Sequence, residues 1–178
     1  MKSRNNIFNA ISSEDAFAIL RILADRNPEI LKQIEEIANE YLQDILPDEV
    51  EEDVFEALEM IEVEEVWDRS GSTRDGYVEP YEMAWEIMDE ELEPFLDQMR
   101  KYQKLSFERE AKQFCMGILK GIYRFEKESR SEYKEWATDG PREAFESIKQ
   151  EWIDEDKNGD RTREINEFIQ MNCPDWAR

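Results

Sequence analysis

Apolar residues return every three or four positions along almost the whole chain, the spacing that lays them on one face of an α-helix. Ser12 or Ser13 caps the first such run, with Glu14 and Asp15 in its opening turn and Phe17, Ile19, Leu20, Ile22 and Leu23 as a broad apolar face. Asn27-Pro28 stops it and starts the next, which carries Ile30, Ile34, Ile37, Tyr41 and Ile45. Leu46-Pro47-Asp48 turns the chain into a third run on Val50, Val54, Leu58 and Ile61, with Glu51, Glu52, Glu56 and Glu59 on its wet side. Val63 to Trp67 reads as a short helical turn. After Pro80 a long run uses Tyr81, Ala84, Trp85, Met88, Leu92 and Phe95, and Pro94 within it predicts a kink or a split.

Ser106 reads as the cap of the most regular run, on Phe107, Ala111, Phe114, Ile118, Ile122 and Phe125. Gly117 and Gly121, four apart on that run, predict the close approach of another helix. A polar helix is expected around Tyr133 and Trp136, ending at Asp139-Gly140-Pro141. Another follows on Ala144, Phe145, Ile148 and Trp152, stopped by Asn158-Gly159, and a last one, capped by Asp160, on Ile165, Phe168 and Ile169. The pattern predicts an all-α protein of seven to nine short helices with tight turns, hence antiparallel neighbours. No repeat period holds, so an irregular bundle and a short array of helical hairpins both fit. The length suits one domain with a sizeable core or two tightly joined helical halves; a single domain over 1–178 is expected, with residues 1–11 as an N-terminal arm.

Charge changes this picture in one place. Of a net charge of -22, residues 33–99 alone, with two basic and 24 acidic side chains, account for -22. Residues 100–178 are nearly balanced, with 16 basic and 17 acidic, and ten lysines remain in the chain. Such a block repels phosphates and argues against nucleic-acid binding, while it suits a basic protein partner, a cation or plain solubility. The chain has no histidine, which removes catalytic triads, imidazole acid–base work and histidine metal ligation. Its two cysteines, Cys115 and Cys173, make neither a disulfide framework nor a metal-ligand pair, and Cys115 lies in an apolar stripe. No apolar stretch approaches a membrane span or a signal sequence, so a cytoplasmic location with no membrane partner is expected.

The segment without helical periodicity, residues 69–80, is a central loop rich in glycine and small polar residues. Trp67, Tyr77, Tyr81 and Trp85 stand on its shoulders. Arg69 and Arg74 are the only basic residues between Gln33 and Met99. An arginine here can hold a carboxylate bidentately and lie over an aromatic face, so these six residues form a candidate clasp or binding site. The run Val66-Trp67-Asp68-Arg69-Ser70-Gly71, with Gly76-Tyr77-Val78-Glu79-Pro80 and Ala84-Trp85-Glu86, resembles an uncharacterised prokaryotic all-helical family, as does Ile118 to Glu126. The resemblance implies a shared Trp-Asp-Arg-Ser-Gly loop and no activity.

Two further patterns suggest metals. Glu64, Glu65 and Asp68, then Glu86 and Asp89, have the form EExxD…ExxD with 17 residues between. This resembles the magnesium site of all-α nucleoside triphosphate pyrophosphohydrolases of the MazG type. The resemblance implies Mg²⁺ held by those carboxylates, with Arg69 or Arg74 meeting phosphates. Asp68 stands where that family more often has glutamate, and its supporting lysine and asparagine are not evident. In a segment over a third acidic, solvated helix faces explain the same residues. Asp154, Asp156, Asn158 and Gly159 open like a calcium-binding loop, but its twelfth position, which needs a bidentate glutamate, is Ile165. The expectation is therefore a non-catalytic helical interaction module presenting an acidic face to a basic protein partner. The magnesium-dependent pyrophosphohydrolase is its alternative.

Overall fold

The computed structural model describes residues 11–42, 45–73, 76–154, 156 and 159–177. The arm over 1–10, Arg74 and the calcium-loop positions 155, 157 and 158 lie outside the described residues, as do the side chains of Tyr41 and Leu42. The protein is all-α, with eight α-helices and one two-stranded sheet among the described residues. No described helix is long and apolar enough to cross a membrane. The chain divides into two compact units, residues 1–44 and residues 45–178.

The first unit is a helical hairpin of α1, Ser13–Arg26, and α2, Pro28–Leu42. Ser12 caps α1 in a reciprocal box with Asp15, whose backbone N–H donates to the Ser12 hydroxyl oxygen at 3.1 Å. Asn27 then starts α2, accepting from the N–H of Glu29 at 3.0 Å. The least exposed positions are Ala16 and Ala24 on α1 and Ile30, Ile34 and Ala38 on α2.

The second unit begins with α3, Pro47–Glu59, and the short α4, Val63–Arg69. Residues 69–80, expected as a loop, instead contain strands β1, Gly71–Thr73, and β2, Gly76–Val78. They pair antiparallel with Gly71 opposite Val78, Ser72 opposite Tyr77 and Thr73 opposite Gly76. Three-residue strands are too short for alternation to show, and Gly71 and Gly76 sit at φ 99° and 145°, where a side chain would be strained.

Helix α5 runs from Pro80 to Lys104 without a break, so Pro94 does not split it. One lost backbone donor at an exposed position is outweighed by the buried face on either side: Met83, Ala84, Ile87, Met88, Leu92, Met99 and Tyr102. Tyr81 and Trp85, expected on that face, lie outside it at 53% and 39% exposure. Ser106 does not cap the next helix but closes α5. It takes the left-handed conformation, φ 61°, while its N–H donates to Gln103 O and that of Phe107 to Tyr102 O, both at 2.9 Å. This is the paired carbonyl closure usually built on glycine.

Helix α6, Glu108–Glu128, is the centre of the unit and packs on α3, α5, α7, Gly140–Asp154, and α8, Asp160–Asn172. Its buried face carries Ala111, Cys115, Ile118, Leu119, Ile122 and Phe125. The polar helix expected around Tyr133 is a 3-10 turn, Glu132–Glu135, set by Ser131, whose hydroxyl accepts from the N–H of Tyr133 at 3.3 Å. Tyr133 is fully buried and its hydroxyl donates to the carbonyl of Ala84. A second 3-10 turn, Pro174–Trp176, tucks Trp176 edge-on against Tyr123 and Phe145. Both cysteines are buried free thiols; burial pushes Cys115 up strongly and Cys173 up to about 12.

Candidate functional site

The candidate residues gather where α4, the β-hairpin and α5 meet. Helix α4 places Glu65 and Arg69 four apart on one face, and α5 brings Glu90 across from it. Arg69 donates to both Glu90 oxygens at 2.7 Å and to Glu65 at 3.0 Å, tying α4 to α5. These bonds hold its guanidinium well above its usual range and Glu90 below the ordinary carboxylate range. Helix α5 starts on Pro80 with a reciprocal cap between Glu79 and Glu82, so the chain leaves β2 in a fixed direction.

The aromatics do not form one cage. Trp67 lies edge-on to Trp136, with ring centroids 4.4 Å apart and half of its surface still exposed. Tyr77 and Tyr81 point largely to solvent, and the Tyr81 hydroxyl donates to Glu82 at 3.2 Å. Trp85 lies against α7, where a Cβ on Gly140 would come within 3.3 Å of its ring.

Between α5 and α7 runs a groove. Its first part, about 180 Å³, is lined by Trp85, Met88, Asp89, Gly140, Glu143, Ala144 and Ser147. A second part of about 220 Å³ shares Asp89, Ala144 and Ser147 and reaches Leu92, Glu93, Leu96 and Arg100. Arg100 closes that end: it donates to both oxygens of Glu151, at 2.7 and 2.9 Å, and to Glu93 at 2.7 Å. Desolvation at the groove, and then the charge of Glu93, raise the carboxyl of Asp89 above its usual range. An apolar floor with carboxylates on its rim and an indole at one end suits a cationic side chain.

The five carboxylates of the EExxD…ExxD pattern are not gathered into one cluster. Glu65 is engaged by Arg69, while Glu64, Asp68 and Glu86 are exposed. Among the described residues no three histidine, cysteine or carboxylate side chains come together to hold a metal. Asp156 accepts from the N–H of Gly159 at 2.9 Å and from the N–H and hydroxyl of Thr162 at 2.8 and 2.7 Å, so its side chain caps α8. Asp160, expected as the cap, lies in the first turn and accepts from Arg163 at 2.9 Å.

Sequence reasoning missed Glu90, Trp136 and Gly140 as site residues, each of which meets its partner from a distant part of the chain, and Glu143, which only lines the groove; no local spacing points to them. No protein-family model matches this chain, and neither a curated protein nor a solved structure matches it, so the resemblances of the Trp-Asp-Arg-Ser-Gly segment and of the EExxD…ExxD pattern rest on those residues alone.

Proposed function

We propose that this protein is a non-catalytic helical interaction module that presents an acidic face to a basic protein partner. The observation that carries the reading is incomplete charge pairing over residues 45–99. Lys120 pairs with Asp48 and Glu51, Arg124 with Glu52, Arg69 with Glu65 and Glu90, and Arg100 with Glu93 and Asp97. Glu49, Asp53, Glu56 and Glu59 on α3, and Glu82, Glu86 and Asp89 on α5, are exposed. None of these seven has a cation within ion-pair distance among the described residues. Spacings of four and three lay each set along one face of its helix. Such stripes raise the local potential and steer a basic partner, and exposed charges of this kind are screened beyond about 8–10 Å at physiological salt. A cytoplasmic location is part of the same reading, to which two free, buried thiols are suited.

The test is capture by the immobilised full chain across a salt series, beside a variant carrying Glu49→Gln, Asp53→Asn, Glu56→Gln and Glu59→Gln. Specific partners are expected to be held at low salt, released as salt rises, and held less by the variant. A partner that both proteins retain equally through molar salt contradicts the reading.

A further inference from the structure

The groove between α5 and α7 follows from side-chain size. On α7 the positions that line it include Gly140, Ala144 and Ser147, spaced four and three, so one face of that helix carries little bulk. Trp85, Met88, Asp89 and Leu92 lie on one face of α5 by the same spacing. Met88 and Leu92 are 1% exposed and make an apolar floor, while Trp85 keeps 39% of its surface open. We infer, resting on the acidic-module reading above, that this groove seats an arginine side chain of the basic partner. Its guanidinium lies over the Trp85 indole, between the carboxylates of Asp89 and Glu143.

Charge selects the occupant. Asp89 and Glu143 both line the Trp85 end, and neither has a cation within ion-pair distance among the described residues. The basic side chains nearby are turned elsewhere. Arg142, next to Glu143 in the chain, pairs with Glu146 and lies over the ring of Trp176 at 5.5 Å. Lys149 also pairs with Glu146. Arg100, at the far end, is taken up by Glu93 and Glu151. The charge of Asp89 thus stands uncompensated where partial desolvation already disfavours it, and its carboxyl is raised for that reason first and by Glu93 second. A cation in the groove relieves this. Arginine suits the place better than lysine, because a planar, weakly hydrated guanidinium stacks on an indole and donates to carboxylates in its plane. Arg100 repels a second cation further along, so the segment that fits carries one arginine flanked by uncharged residues.

The experiment is an NMR titration of the isotope-labelled full chain with a capped peptide holding one arginine between alanines and glycines. The Trp85 indole N–H resonance is identified by its absence from Trp85→Phe. Saturable movement of that resonance and of the Met88, Asp89 and Ala144 amides is expected, and none from the same peptide with citrulline, which keeps the shape and lacks the charge. Asp89→Asn and Glu143→Gln are each expected to weaken binding roughly two- to fivefold. Asp89→Asn removes a partly desolvated charge, so its effect on binding is not one of unfolding. No saturable movement, equal movement by the citrulline peptide, or unchanged affinity in both carboxylate variants overturns the inference. So does spermidine moving Trp85 at lower concentration than the peptide, which assigns the groove to a small polycation. A peptide that shifts α3 and leaves Trp85 in place overturns the groove while the acidic module stands. Salt-resistant capture beside a saturable Trp85 shift contradicts the module alone. A guanidinium is not coupled by carbodiimide, so an arginine seated here gives no cross-link at Glu143.

Discussion

Gly117 lies so close to Val50 that a Cβ added to it would fall 2.5 Å from the Val50 Cβ and 2.8 Å from the Pro47 carbonyl oxygen. One turn on, a Cβ on Gly121 would meet Val54 Cβ at 2.7 Å and Glu51 O at 2.8 Å. The two glycines let the backbones of α3 and α6 touch, and this contact fixes the acidic helix against the centre of the unit. Arg124 and Lys120 stand beside it, pairing with Glu52 and Asp48 and, through Arg124, covering the ring of Phe55 at 4.2 Å.

Gly117→Ala should therefore destabilise the protein although alanine is the better helix former. Overpacking costs about 1–3 kcal/mol, and the propensity gain of about 1 kcal/mol only partly offsets it. Gly140→Ala, where the nearest atoms lie at 3.3 Å, should do less. Urea denaturation of both variants checks the order; an unchanged midpoint for Gly117→Ala would show that the helices can separate freely.

Much of this was open to reading in the sequence. The stripe Val50, Val54, Leu58 and the glycine pair on α6 gave both partners of the contact, since one period decides which side chains are buried. What stayed hidden depends on backbone or on distance. The β-hairpin rests on main-chain pairing of short strands, and Ser106 takes a left-handed conformation that serine rarely adopts. Arg69 was marked as a clasp residue from its isolation among carboxylates, but its bidentate partner Glu90, 21 residues away, follows only from how α4 meets α5.

That pair gives a second prediction. The carboxylates of Glu65 and Glu90 remain about half exposed, so water screens the attraction to Arg69. Arg69→Ala should lower the urea midpoint less than Gly117→Ala does, and Arg69→Lys should not restore the loss, because lysine cannot bridge both Glu90 oxygens in a plane. A loss larger than that of Gly117→Ala would make the clasp the stronger element.

Acid should act in two opposite ways. Asp89 titrates above its unfolded value, so its charged form costs stability that is regained as pH falls through the folded value, above about pH 3.9. Asp89→Asn should raise the melting temperature near neutral pH and lose that advantage on acidification. Glu164, held below its usual range by Lys112 at 2.8 Å, contributes stability that is lost only as pH falls below about 4.3. Glu164→Gln should lower the melting temperature at neutral pH and match the parent in stronger acid. Parallel pH profiles for the two variants would refute these assignments.

Purified protein with Mg²⁺ and nucleoside triphosphates should release no pyrophosphate, because Glu65 is committed to Arg69 and the five carboxylates do not converge. Turnover that Glu65→Gln abolishes would restore the magnesium reading.

The most direct test of the acidic module is carbodiimide coupling of the full chain to a captured, salt-released partner, since this reagent joins carboxylates to amines in contact. Cross-links from partner lysines should land on α3 and α5, at residues such as Asp53, Glu56, Glu86 and Asp89, and should vanish at high salt. Cross-links that persist in high salt, or that map to residues 100–178, would contradict the account.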